Sequence, residues 1–317
     1  MKDAALLAYL SETFTSGSVL AQRLGLSRVA VWKQAHRLQA AGYPVEVVQG
    51  QGYRLRPGSP APHLLHARLQ GRFGRAYRYL GRTTSTQDAL RAWAEAGAPE
   101  GAVVLAEQQT RGRGRRGRSW VSPPGAGLYF SVLLRPRLPL TELLRLSLAA
   151  GIALAETAEV GGLKWPNDLL APDGRKLAGV LVEAELRGEE VRFLLLGIGL
   201  NVHAAPLPPE ATYLEAYRPG LRRVDLLAKL LARLEYWSER LTDAAAICTA
   251  WSRYSYTLGR PVRIDTPAGL VEGVAEALAS SGALQVRLAD GTLRTISAGD
   301  VALLSPVSAN HPPNLPA

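Results

Sequence analysis

The 317-residue sequence predicts an α+β chain in three folded parts. Three observations lead there. A helix–helix–hairpin pattern fills residues 1–60 and runs into Pro57-Gly-Ser-Pro-Ala-Pro62, whose prolines and glycine mark a boundary. From residue 63 to 255, helical and strand-like segments mix without regular βαβ alternation. From residue 256 to 304, short strand-like runs are punctuated by Pro267-Ala-Gly269, Ser281-Gly282 and Asp290-Gly291. The proline-rich tail, residues 305–317, is expected to be disordered.

In the first part, Asp3–Glu12 reads as an amphipathic helix and Ser18–Leu24 as a second, short one. Gly25-Leu26 turns into Ser27, a good N-cap. The third helix, Arg28–Ala41, carries Val31, Ala35 and Leu38 on one face, with Arg28, Trp32, Lys33 and Arg37 off that stripe. Val45–Val48 and Tyr53–Leu55 flank a Gln49-Gly-Gln-Gly52 turn. Two helices on a tight turn followed by a hairpin make a winged helix-turn-helix, whose third helix suits the DNA major groove. Ser27, Arg28, Trp32, Lys33 and Arg37 are its candidate DNA contacts. Seven Lys/Arg against three Asp/Glu in residues 1–60 leave +4, a modest excess that favours binding as a dimer. A small helical domain for protein contact is the alternative.

In the central part, Ser85 and Asp88 form a capping-box pattern ahead of a helix over Ala89–Ala96, closed by Gly97. Ala102–Glu107 and Leu128–Leu134 read as strands, Thr141–Val160 as a long helix. Strand-like runs Leu163–Leu170, Lys176–Leu186 and Val191–Val202, separated by turns, predict an antiparallel portion of sheet. Helices near Val224–Leu241 and Asp243–Tyr254 follow.

Between the first two strands lies Arg111–Arg118, five arginines and three glycines. A packed core cannot absorb such a segment, but a flap over an anion can use it, because guanidinium forks grip phosphate or carboxylate two bonds at a time. Its Gly112-x-Gly-x-x-Gly117 spelling is not a dinucleotide fingerprint: Pro123 and Pro124 forbid the helix that must follow. An Arg/Gly segment that binds RNA is a further alternative. Five like charges with glycine spacers predict a mobile flap until a ligand orders it.

Bulk properties narrow the classes. The net charge of +10 suits a polyanionic or phosphate-bearing partner. Cys248 is the one cysteine, which excludes a disulfide framework, and the five histidines lack the clustering of a zinc site. The sequence offers no membrane-span-length apolar run and no signal-peptide pattern at its start, so a cytoplasmic protein is expected.

The chemistry concentrates in three further runs. Lys164-Trp-Pro-Asn-Asp168 crowds polar groups beside a proline, Lys176 leads the apolar run Leu177-Ala-Gly-Val-Leu181, and Gly197-Ile-Gly-Leu-Asn201 sets an amide among apolar neighbours. Together with the flap they suit attack by a carboxylate on a nucleotide phosphate, where cations must join two anions and water must be kept from an acyl phosphate. With Ser85-Thr86, Gln109 and Trp120, these motifs resemble the biotin–protein ligases, and with the helix-turn-helix the bifunctional class that also represses biotin synthesis genes.

That resemblance covers all but the tail. It implies a central domain with the fold of class II aminoacyl-tRNA synthetases and a small SH3-like barrel at residues 256–304. It also implies biotin and ATP as substrates, Mg²⁺ with unassigned ligands, and a biotin carboxyl carrier protein and operator DNA as partners. A ligand-promoted homodimer is expected to pair at the edge of the central sheet near Leu186–Leu196, because an exposed strand edge invites another. By matching motif, Ser85, Thr86, Gln87, Gln109, Arg113, Gly114, Arg115, Lys176 and Gly179 would hold biotin. Arg115, Arg118, Trp120, Asn167, Asp168, Lys176 and Asn201 would serve ATP. Lys176, Arg113 and Arg115 are the catalytic candidates. Gln87 departs from the family's usual asparagine and Thr84 from its common acid. A lipoate–protein ligase and a ligand-sensing transcription factor without catalysis remain alternatives.

Overall fold

The computed structural model describes residues 3–135, 139, 143–188 and 190–304. The expected disordered tail and the first residues of the helix anticipated at Thr141 lie outside them.

Helices α1 (Asp3–Tyr9), α2 (Gly17–Leu24) and α3 (Arg28–Ala40) pack around Leu6, Leu10, Leu20, Val31, Ala35 and Leu38. Gly25, at φ 64°, closes α2 in the left-handed conformation that glycine adopts without strain. Ser27 then caps α3, its Oγ accepting from the Ala30 N–H at 3.1 Å. The wing pairs β1 (Val45–Val48) with β2 (Gly52–Leu55), Val45 opposite Leu55. Helix α1 stops short of the expected Glu12. That carboxylate instead accepts from the Gly58 N–H at 2.7 Å and pairs with Arg222 of the central domain.

The 57–62 boundary is packed rather than loose. Gly58, Ser59, Pro60 and Ala61 are buried, and the Gly58 carbonyl accepts from Val224. Helix α4 (Pro62–His66) follows, and His63 Nε2 reaches the Leu10 carbonyl at 2.9 Å.

The central domain is built on a seven-stranded sheet. Its strands are β3 (Tyr77–Thr83), β4 (Val103–Gln109), β7 (Gly127–Leu134), β8 (Gly162–Lys164), β9 (Asp168–Leu170), β10 (Lys176–Arg187) and β11 (Glu190–Asn201). They lie in the order β3-β4-β7-β11-β10-β9-β8, with β3 and β4 parallel and the other pairs antiparallel. The mixed run Tyr77–Thr83 gave no clear strand signal. The anticipated strand Leu163–Leu170 is a hairpin, β8–β9, turning at Trp165-Pro166, since proline cannot donate to a ladder.

Alternation along the strands separates two cores. Leu194, Leu196, Ile198 and Leu200 of β11 face the helices α6 (Leu143–Ala158), α7 (Arg223–Ser238) and α8 (Ala244–Arg253). Phe193 and Leu195 face α5 (Thr86–Glu95), with Leu90, Ala94, Val104 and Leu133. The third part is a five-stranded antiparallel sheet of β12 (Pro261–Thr266), β13 (Gly269–Leu278), β14 (Leu284–Arg287), β15 (Leu293–Ile296) and β16 (Asp300–Leu303), ordered β15-β14-β13-β12-β16. Among the described residues no helix is long and apolar enough to cross a membrane.

Candidate functional site

Strand β11 explains why a cavity forms where it does. On the α5 face its side chains run Phe193, Leu195, Gly197, Gly199, Asn201. Bulk under the helix gives way to bare backbone, and the space goes to other residues. A Cβ on Gly199 would lie 2.4 Å from the Trp120 ring, and one on Gly197 3.1 Å from the Gln87 amide. On the neighbouring strand, a Cβ on Gly179 would meet Lys176 at 3.1 Å and Trp120 at 3.2 Å. This glycine floor lies beneath a cavity of about 660 Å³, a ligand-sized volume.

One part of the cavity wall is neutral and polar. Gln109 Oε1 accepts from the Thr86 N–H and hydroxyl at 2.8 and 3.1 Å. Its Nε2 donates to Ser122 Oγ at 3.1 Å, while the Thr86 hydroxyl also meets Ser131 Oγ at 2.8 Å. Gln87 Nε2 donates to the Leu195 carbonyl at 3.3 Å. Ser85 caps α5, but its Oγ accepts from Gln87 N–H, and both Asp88 oxygens go to Arg113. The expected reciprocal capping box is therefore absent, and α5 begins at Thr86 rather than Ala89.

Another part is cationic. Lys176 Nζ lies 2.6 Å from Asp168 Oδ1 and 5.4 Å from the Trp120 ring centre. Lys164 Nζ approaches the other Asp168 oxygen at 3.4 Å, so one carboxylate with 12% of its side chain exposed holds two ammoniums. Asn167 fixes the β8–β9 turn through Nδ2 to the Val180 carbonyl at 2.9 Å, and its Oδ1 accepts from Arg115 at 3.2 Å.

The flap is a small hairpin, β5 (Gly112–Arg113) with β6 (Ser119–Trp120), joined by one 3₁₀ turn. Its charges are compensated rather than loose. Arg113 makes a two-pronged bond to Asp88 at 2.9 and 2.7 Å, which raises the arginine's pKa and lowers that of the aspartate. Asp300 of the third domain pairs with Arg116 at 3.3 Å, with Arg118, and at 3.8 Å with Arg115; Asp265 adds a 2.8 Å bond to Arg116. Burial draws the Arg115 pKa below its ordinary value. These acids, distant in sequence, were not legible as partners of the flap.

Among the buried polar atoms without a hydrogen-bond partner within the protein are Gln87 Oε1, Trp120 Nε1 and Asn201 Oδ1. All three residues line this one cavity. Buried polar groups are normally satisfied, so these point to a ligand with its own donors and acceptors. Ser85, Thr86, Gln109, Arg113, Gly114, Arg115, Arg118, Asn167, Asp168, Lys176 and Gly179 line it too. Every residue expected to hold biotin or ATP is thus gathered around one space. Lys164, named in its motif but given no role, joins them, as do Val121 and Asp300, which were not singled out. Among the described residues no group of three or more potential metal ligands occurs.

The DNA candidates lie elsewhere. Ser27, the cap of α3, and Arg28, Trp32, Lys33 and Arg37 on the helix are exposed, and Trp32, half exposed, is not a core residue. Its ring packs on His36 with centres 4.1 Å apart.

Comparison with known proteins identifies the family. Residues 79–201 match the biotin/lipoate A/B protein ligase family, residues 257–304 the biotin protein ligase C-terminal domain, and residues 3–54 an HTH domain. The chain is 33% identical to the bifunctional ligase/repressor BirA of Bacillus subtilis over 94% of its own length and 96% of the relative's. It is 32% identical to the Escherichia coli protein of that name over 96% and 97%. A biotin protein ligase from Aquifex aeolicus, solved with biotin and ATP, superposes with a TM-score of 0.61 at 31% identity, covering 72% of this chain and 98% of that one. The chain belongs to the family of bifunctional biotin ligase/repressors.

Proposed function

We propose that the chain joins biotin to a lysine of a biotin carboxyl carrier protein at the expense of ATP, and represses biotin genes through its winged helix. The observation that carries the ligase half is the single cavity, with an amide- and hydroxyl-lined part beside a lysine- and arginine-lined part under one flap. In the first step the biotin carboxylate attacks the α-phosphorus of ATP and pyrophosphate leaves. In the second, the carrier's ε-amine attacks the acyl carbon of biotinyl-5′-AMP, and AMP and a proton depart.

Ser85, Thr86, Gln87 and Gln109 bind biotin, with Gln87 Oε1 free to accept from a ligand N–H. Lys176 and Arg115 draw carboxylate and α-phosphate together and offset charge on the transferring phosphorus. Trp120 packs by the adenine, and Asn167, Asp168, Arg118 and Asn201 serve the nucleotide. Arg113 and Gly114 form the moving lid. Asp168 is already engaged by two lysines, so Mg²⁺ fits here as an ion carried on the ATP phosphates rather than in a protein cage.

On this reading residues 1–60 bind DNA and 63–255 catalyse with a class II synthetase-like fold. Residues 256–304 form an SH3-like module, and the enzyme acts in the cytoplasm. Dimers form through the sheet edge. Strand β11 is paired on both sides from Leu194 to Leu200, so an open edge near the expected Leu186–Leu196 is the outer half of β10, near Leu181–Arg187, beyond its pairing with β9. Incubating the protein with ATP, biotin and a carrier domain, then weighing the carrier, tests the ligase half. A mass gain of one biotinyl group is expected, and pyrophosphate exchange that ignores biotin would overturn it. Footprinting DNA near biotin genes with biotin and ATP present tests the repressor half.

A further inference from the structure

Helix α3 presents an unusual face to solvent. Between Glu12 and Glu46 the chain has no acidic residue, while Arg23, Arg28, Lys33 and Arg37 supply four cations. Yet Val29 is 62% exposed and Trp32 50% exposed. Neither is needed by the domain core, which α3 meets with Val31, Gln34, Ala35 and Leu38. An α-helix turns about 100° per residue. On that spacing Val29 lies at the middle of the exposed arc, beside Lys33 and His36, with Arg28 and Arg37 at its two rims. Trp32 sits between Val29 and Arg28, and its ring packs on His36.

A cationic rim and an apolar centre match the two chemistries of the major groove. Phosphates on either wall position a helix, whereas base edges on the floor specify sequence. The one apolar group on that floor is the 5-methyl of thymine. Base-edge contacts come from the N-terminal turns of a recognition helix, and Val29 is the second residue of α3. A protein partner would leave the acid-free rim unexplained.

We infer that Val29, flanked by Trp32, reads a thymine methyl in each half-site, so the operator carries a fixed thymine there. This rests on the repressor reading above and assigns its sequence preference to particular side chains. The absence of any charge or hydrogen bond at the valine means that discrimination comes from burying one methyl group.

The test uses the full-length protein with biotin and ATP. A 40-base-pair duplex is first enriched from a randomised pool, and each thymine is then replaced singly by deoxyuridine, which lacks only the methyl. The wild type should lose about four-fold in affinity at one thymine per half-site, the worth of one buried methyl. Val29→Ala should bind more weakly and lose its sensitivity to that deoxyuridine alone, while its carrier biotinylation is unchanged. A duplex that is enriched but indifferent to deoxyuridine at every position overturns the assignment, as does a Val29→Ala protein that keeps the full wild-type sensitivity. A pool that yields no enriched duplex overturns the repressor reading beneath it.

Discussion

Lys176 is held ready by its neighbours. Gly179 leaves it room on the strand, Asp168 anchors its ammonium at 2.6 Å, and Trp120 covers it from one side. Replacing it with alanine removes the cation but leaves the carboxylate of Asp168 beside the incoming phosphates. Biotin-dependent pyrophosphate exchange should fall by about 10²–10³-fold, the range for losing one group that stabilises transition-state charge. Exchange within five-fold of wild type would remove Lys176 from the chemistry. His63 supplies a different residue-scale test. Its Nε2 meets the Leu10 carbonyl, while its Nδ1 is buried without a partner, and burial lowers its pKa from 6.5. The unfolded chain therefore takes up a proton at a higher pH than the folded one. Stability from this site is complete above 6.5 and declines as pH falls below it. Thermal midpoints at pH 7.5 and 5.5 should differ less in His63→Gln than in the wild type; an identical difference in both proteins would refute the assignment.

At the scale of elements, β11 shows how one strand builds a core and a binding floor by changing side-chain size along one face. Gly199→Val would drive its Cβ into the Trp120 ring, now 2.4 Å from where that atom must sit. Trp120 ends the flap hairpin, so the flap should be displaced with it, and biotin binding measured by calorimetry should be lost while the fold persists. Retained binding would mean that Trp120 can move at no cost. The flap is also tied to β16 through Asp300. The like charges of residues 111–118 suggested a loop that orders only on a ligand, but carboxylates from α5, β12 and β16 already offset them. Asp300→Asn removes the acid shared by three arginines. Protease cleavage within 111–118 should then speed up several-fold without ligand and return towards wild type with biotin and ATP. Unchanged cleavage would show that the third domain does not restrain the flap.

At the scale of the whole molecule, what was legible in the sequence was local. Periodicity and caps placed α2, α3 and the wing within a residue or two, and the odd polar runs marked the cavity lining. What was hidden depends on long-range pairing: Glu12 with Arg222, Asp300 with the flap, and β3, whose arginines and glycine mask its alternation. That last strand also joins the domains. Gly81 of β3 lies against the end of α3, where a Cβ would be 2.2 Å from the Ala41 carbonyl oxygen, and Tyr43 donates to the Tyr79 carbonyl at 3.1 Å. The same strand leads to Ser85 and Thr86 in the cavity wall, so the end of α3 and the start of that wall meet on one strand. Gly81→Val should prise the winged helix from the sheet without touching a cavity residue. Segment 57–62, buried from Gly58 to Ala61, should become protease-sensitive, and DNA affinity with biotin and ATP should fall about ten-fold, because in the proposed dimer two winged helices no longer held at a fixed separation match two half-sites poorly. Carrier biotinylation should stay within two-fold. Should the variant resist cleavage at 57–62 and bind DNA normally, the close approach at Gly81 would be incidental to how the helix is held.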